Sequence, residues 1–225
     1  SHNMPAPELV ELCDEMGFMM MIEPFDDWSH RPKSPNGYGA VFKEWAERDV
    51  TNMVEHYRNS PSVVMWSIGN EVPSQGAAVG MSELQMLQNL VHRLDPTRPV
   101  TCGMDRIDIV LKNGFAAALD IPGFNYKPQH YERAYEMLPQ KLILGSETAS
   151  TVSSRGVYHF PVEYKVKKNV THPDHQSSSY DTESCSWANT PEYDFLMDEK
   201  PWVIGQFVWT GFDYLGEPSP YDTDA

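Results

Sequence analysis

Apolar and polar positions change period repeatedly along this chain. From Pro5, the run P-A-P-E-L-V-E-L-C-D-E-M-G places Leu9, Leu12, Cys13 and Met16 at i, i+3, i+4 and i+7, which predicts an α-helix opened by prolines and closed by a left-handed cap at Gly17. The unbroken apolar run from Phe18 to Glu23, F-M-M-M-I-E, then reads as a buried strand. Turn residues fill Pro24 to Gly39, a loop that carries Asp26, Asp27, Trp28 and His30.

The alternation continues. Ala40 to Asn59 is predicted helical, with Phe42, Trp45, Met53 and Tyr57 on one face, and Pro61 stops it because the residue before a proline avoids the helical region. Val63 to Val72 is a strand, and Ser82 to Leu94 a helix with Ser82 and Gln85 as a capping box and Leu84, Leu87, Val91 and Leu94 as its apolar stripe. Strands at Pro99 to Gly103 and Leu119 to Tyr126 flank a weakly helical Ile107 to Asn113. A helix over Gln129 to Leu138 precedes a strand over Lys141 to Thr148. A long polar stretch, Thr148 to Thr190, shows no sustained period, and loops of that length in a compact domain usually have functional roles. A short helix at Pro191 to Met197 and a last buried strand, P-W-V-I-G-Q-F-V-W-T from Pro201 to Thr210, complete the pattern.

Strand and helix alternate six times, which implies a parallel sheet covered by helices: an open doubly wound sheet or a (β/α)8 barrel. An open sheet usually has a Gly-rich phosphate loop after an early strand, and neither G-x-G-x-x-G nor G-x-x-x-x-G-K occurs here. The expected fold is therefore α/β, a (β/α)8 TIM barrel, incomplete because only six strands are visible.

Two strands end alike. V-V-M-W-S-I-G-N-E-V breaks from apolar residues into Gly69, Asn70 and Glu71, and K-L-I-L-G-S-E-T breaks into Gly145, Ser146 and Glu147. In a barrel, active residues sit at the C-terminal ends of the strands, where Asp26, Asp27, Glu71, Tyr126, Glu147 and Trp209 all fall. A lone carboxylate at a strand tip is commonly just solvated, but a pair at equivalent tips suggests a site. Two carboxylates with aromatic neighbours suit cleavage of a glycosidic bond, one protonating the leaving oxygen while the other stabilises or attacks the anomeric carbon. The ionised partner's charge keeps the other protonated, so such a pair titrates as a unit.

Composition narrows the partners. At 225 residues with 40% hydrophobic content the chain can form a single large core. Its net charge of −15 argues against nucleic acid, whose phosphates demand Lys and Arg, and against an anionic membrane surface. No run approaches the roughly 20 apolar residues of a membrane span. Cys13, Cys102 and Cys185 are too few and too dispersed for a disulfide framework or a zinc site. The chain starts at Ser1 without a signal-peptide pattern, so periplasmic, secreted and cytoplasmic locations all remain open.

Five stretches in order, S-H-N-M-P-A-P, E-P-F-D-D-W, W-S-I-G-N-E-V, G-S-E-T-A-S and F-V-W-T-G-F-D-Y-L-G-E-P, together resemble the catalytic barrel of glycoside hydrolase family 2, in particular its β-galactosidases, over almost the whole chain. The resemblance implies that Glu71 is the general acid/base and Glu147 the nucleophile of a retaining mechanism. It implies that the visible strands are barrel strands three to eight, with Ser1-His2-Asn3 at the tip of strand two. It also implies that His2, Asp27, Trp28, Asn70, Tyr126 and Trp209 line the sugar subsite, Asn70 bonding the hydroxyl beside the anomeric carbon and Tyr126 holding the nucleophile. Each of these has a plain alternative: Trp28 and Trp209 as core aromatics, Tyr126 as a packing residue, His2 as part of a loose terminus. Asp213 and Glu217 fit a subsite and a solvated strand end equally.

The resemblance sets further expectations. Residues 1–225 would be the catalytic barrel of a larger multidomain glycosidase, without its N-terminal β-sandwich domains and first barrel strands, and weakly active or inactive alone. The substrate would be a β-linked oligosaccharide or glycoconjugate, with no required cofactor and homo-oligomerisation open. Some relatives hold a divalent cation beside the acid/base, but no site is fixed here. His172 and His175 in H-P-D-H have a spacing that a metal could use, in a Ser-rich loop where a solvated pair is the commoner case. The rival readings are a β-glucuronidase or β-mannosidase on the same scaffold, the former disfavoured by the absence of an N-K-G triplet, and a carbohydrate-binding module without turnover, for which paired buried carboxylates would be costly.

Overall fold

A computed structural model describes residues 2–150, 155–158 and 199–210. Six strands hydrogen-bond in chain order: β1 (Met20–Ile22), β2 (Val63–Asn70), β3 (Val100–Met104), β4 (Ile121–Asn125), β5 (Ile143–Ala149) and β6 (Val203–Trp209). The helices are α1 (Pro7–Met16), α2 (Phe42–Tyr57), α3 (Ala78–Leu94), α4 (Ile107–Lys112), α5 (Phe115–Ala118) and α6 (Tyr131–Met137). The chain forms two compact units, Ser1–Gly123 with Met137–Gln140, and Phe124–Glu136 with Lys141–Ala225.

In the first unit β1 pairs with β2, and β2 with β3, both in parallel. The centre is β2, where Val63, Met65, Trp66 and Ile68 are all buried. Full burial of such side chains contributes about 1.5–3 kcal/mol each, as an upper estimate. Asp95 ties its own turn to β2: it accepts from the Trp66 indole at 3.0 Å, from Arg98 at 2.8 Å and from the Thr97 backbone N–H at 3.0 Å. Burial pushes the Asp95 carboxyl up, but the bonds from Thr97, Trp66 and Arg98 outweigh it and hold the pKa at about 2. The Arg98 guanidinium also reaches the Val63 carbonyl, fixing the start of β2.

Helices α1, α2, α4 and α6 form near where periodicity places them, whereas α3 starts earlier, at Ala78, and α5 matches no expected helix. Helix α1 ends at Gly17, with φ +77° and an N–H bonded to Cys13 O at 2.9 Å, as a left-handed cap requires. Its expected core stripe is nevertheless exposed at Leu9, Leu12 and Met16, and Val10 is the helix's buried residue. The stripe turns outward because no described element covers it, and neighbouring Phe18 and Met19 are exposed too. In α2, Phe42, Ala46, Val50, Met53, Val54 and Tyr57 face inward. Trp45 does not; it lies on the surface with the Arg48 guanidinium 5.3 Å above its ring. In α3, Ser82 is not a cap, because the helix begins at Ala78 and the Ser82 hydroxyl bonds back to Val79 O at 2.8 Å inside the first turn.

In the second unit β5 and β6 pair in parallel, from Ile143 opposite Val203 to Ala149 opposite Trp209. Strand β6 forms as expected but is not buried throughout: Ile204, Phe207 and Val208 are exposed. It ends the strand order, so its ladder partner is β5 alone among the described strands. Tyr135 stacks on Trp202 with centroids 4.6 Å apart. The expected helix at Pro191 to Met197 lies outside the described residues.

Candidate active site

Within the first unit, the ladder between β2 and β3 loses its regular register between Ser67 and Asn70. Such irregularities re-aim side chains and are common beside active sites. Glu71 follows at once in a left-handed conformation, φ +47°, with its N–H donated to Gly103 O at 2.8 Å. A non-glycine residue pays roughly 1–2 kcal/mol there, a strain that concentrates at functional positions. Asn70 is buried, and its carbonyl accepts from Lys33 Nζ at 2.7 Å. Glu71 itself is half-buried.

Asp27 and Trp28, expected at a sugar subsite, are both buried. The Trp28 indole is fully buried, donates its N–H to Ile68 O at 2.8 Å, and packs against Phe42 and Phe115. Gly69 is demanded by this packing, since a Cβ there would stand 2.7 Å from the indole nitrogen. Asp27 is 1% exposed, and its carboxylate accepts the backbone N–H groups of Trp28 at 3.0 Å and Lys33 at 2.9 Å, which organises its loop.

His2 is anchored by Glu23, a residue outside the expected site. Glu23, at the end of β1, is buried and accepts from the Ser67 hydroxyl and, at 3.1 Å, from His2 Nδ1. A carboxylate acceptor requires the hydrogen on Nδ1, which fixes the ring and leaves Nε2 as its other polar atom. The signal was present in the sequence: F-M-M-M-I-E is a third apolar run closing on a glutamate, followed by Pro24 instead of a threonine or valine.

Within the second unit, Tyr126 and Glu147 are bonded twice. The Tyr126 hydroxyl donates to Glu147 Oε1 at 2.5 Å, and the Tyr126 N–H to Glu147 O at 2.6 Å. Tyr126 too is left-handed, φ +57°, and is buried. The β5–β6 ladder shifts register between Gly145 and Thr148, around Glu147, just as the β2 ladder does ahead of Glu71. The Ser146 hydroxyl bonds Asn125 Oδ1 at 2.7 Å, and the Thr148 hydroxyl bonds Gln206 Oε1 at 2.7 Å. Trp209 is half-buried at the end of β6, opposite Ala149. A carboxylate held by a phenol is oriented and charge-stabilised, which suits a nucleophile.

Among the described residues no group of three or more His, Cys, Asp or Glu could hold a metal ion. His172, His175, Asp213 and Glu217 lie outside the described residues. Cys102 is buried, which pushes its thiol well up, and Cys13 is half-buried; both are free thiols. Among the described residues no helix is long and apolar enough to cross a membrane.

The sequence matches the family description "Glycosyl hydrolases family 2, TIM barrel domain" over residues 1–223. It is 34% identical to the β-galactosidase BoGH2A of Bacteroides ovatus, covering 100% of this chain and 31% of that protein. It is 30% identical to a putative β-glucuronidase of Formosa agariphila, covering 96% and 22%. A crystal structure of a β-glycosidase from Bacteroides vulgatus is similar at a TM-score of 0.74 and 32% identity, covering 97% of this chain and 30% of that one. The chain belongs to glycosyl hydrolase family 2 and is a TIM-barrel domain of it, with six barrel strands among the described residues. It spans a third or less of the length of these relatives.

Proposed function

We propose that this chain is the catalytic barrel of a larger retaining β-glycoside hydrolase acting on terminal β-galactosides. The observation that carries the reading is the Tyr126–Glu147 pair, a phenolic donor 2.5 Å from a carboxylate at a strand tip. Glu147 attacks the anomeric carbon while Glu71 gives its proton to the departing oxygen, forming a glycosyl ester on Glu147. Glu71 then takes a proton from water, the water displaces the ester at the same carbon, and the anomeric configuration is retained. Tyr126 stabilises the carboxylate that leaves in the second step. His2, Asn70 and Trp209 are assigned to sugar binding. The mechanism requires no cofactor, and activity is expected to survive chelation.

Galactose as the cleaved sugar is supported by the similarity to the Bacteroides ovatus β-galactosidase. A glucuronide is the second reading, favoured by the similarity to the Formosa agariphila protein. Nitrophenol release from aryl β-galactoside and aryl β-glucuronide, compared at equal concentration, decides between them. The chemistry is tested by trapping with a 2-fluoro glycoside and peptide mass spectrometry. A label on Glu147 supports the reading; a label on another carboxylate, or an inverted product by NMR, refutes it.

A further inference from the structure

The strand ahead of Glu71 outruns its neighbour. In the β1–β2 ladder the last register pair is Ile22 with Trp66, while β2 continues to Asn70. The carbonyls of Ile68 and Asn70 both lie beyond that last pair. Both are taken by side chains of the loop that follows β1. The Trp28 indole donates to Ile68 O at 2.8 Å, and Lys33 Nζ donates to Asn70 O at 2.7 Å. Within that loop, the buried Asp27 carboxylate holds the Lys33 backbone N–H at 2.9 Å, and Asp26 Oδ2 steadies the ammonium at 3.2 Å. Two side chains thus extend the sheet past the end of β1, up to the residue before the left-handed turn at Glu71.

We propose that Lys33 is a positioning residue for the general acid/base: it fixes the Asn70 carbonyl and thereby the peptide that aims Glu71. The inference rests on the assignment of Glu71 given above. The bond is charge-assisted and comes from an ammonium only partly exposed, so it resists exchange for water better than a neutral surface contact. In this role the effect of Lys33 runs through Glu71, whose protonation of the departing oxygen matters most when that oxygen leaves poorly.

The experiment measures kcat/KM in the enzyme that carries this barrel, with methyl β-galactoside as a poor leaving group and dinitrophenyl β-galactoside as a good one. Lys33→Met, Lys33→Gln and Lys33→Arg are compared with wild type and with Glu71→Gln. The ratio between the two substrates does not depend on how much of a variant folds, so a destabilised variant still reports. Lys33→Met is expected to lose roughly tenfold to a hundredfold on the methyl glycoside and less than about threefold on the dinitrophenyl glycoside. Lys33→Gln should fall between, and Lys33→Arg should recover most of the loss. Equal losses on both substrates, or none, overturn the proposal while leaving Glu71 in place. A Glu71→Gln variant unimpaired on the methyl glycoside overturns the acid/base assignment and the proposal together.

Discussion

The hydroxyl of Tyr126 lies 2.5 Å from Oε1 of Glu147, and the backbones of the same two residues are joined by a second bond of 2.6 Å. The backbone bond fixes the distance between β4 and β5 where the side-chain bond forms. Tyr126→Phe therefore removes a donor without moving the carboxylate. The expected result is a fall in kcat of roughly 10- to 100-fold, the equivalent of a lost charge-assisted bond, with the thermal midpoint nearly unchanged. Steady-state kinetics in the Glu147→Gln background, already reduced on the order of 10⁴-fold, should show no further loss.

Trp28 gives a test of core against subsite. Trp28→Phe removes the indole donor to Ile68 O and is expected to cost about 1–3 kcal/mol of stability. Trp28→Ala is expected to cost about 3–5 kcal/mol. In urea unfolding both losses should be plain, while KM of the surviving Phe variant stays within about twofold of wild type. A large rise in KM with stability intact would return Trp28 to the sugar subsite.

Asp95 sets an acid dependence. Its folded pKa of about 2 lies below the ordinary 3.8, so between those values the unfolded chain binds more protons and stability rises with pH. The contribution is complete above about pH 4 and is lost as pH falls towards 2. Asp95→Asn should be less stable than wild type at pH 7, and the gap should close as denaturation is repeated at pH 4, 3 and 2.5. A gap that stays constant over that window would refute the role of the charge.

Glu23 predicts an order of costs. Glu23→Ala strips the Ser67 hydroxyl and His2 of their acceptor and is expected to cost about 1–3 kcal/mol, because Ser67 is buried. His2→Ala, at a half-exposed ring, should cost about 1 kcal/mol or less. Chemical denaturation of both variants checks the order, and a reversal would mean that the His2 bond is the stronger anchor.

The strands were legible because β2 and β5 are apolar over lengths that only a doubly covered strand tolerates, and their tips named Glu71 and Glu147 without help. Direction was harder to read. The stripe of α1 has correct helical spacing, yet Leu9, Leu12 and Met16 face away from the core, because spacing gives a face and not what lies against it. The family resemblance assigned Trp28 to the sugar subsite, with a core aromatic as the alternative. Its burial depends on Gly69 and Phe115, which are distant in sequence. Ser82 and Gln85 matched a capping pattern inside a helix that had already begun at Ala78. Glu23 lacks the Gly-x-Glu ending that Glu71 and Glu147 share, and Lys33 reaches a backbone carbonyl, a task that leaves no motif.

The left-handed backbone at Glu71 also bears on how this sequence can change over generations. Glutamate and glycine codons differ by one purine transition, and glycine occupies that conformation without the penalty of a Cβ. In any lineage where the reaction ceased to matter, the commonest class of mutation would exchange the carboxylate for a residue that the fold prefers. Drift at this codon runs towards glycine, so under the acid/base role proposed above a glutamate at position 71 persists only while that chemistry is under selection.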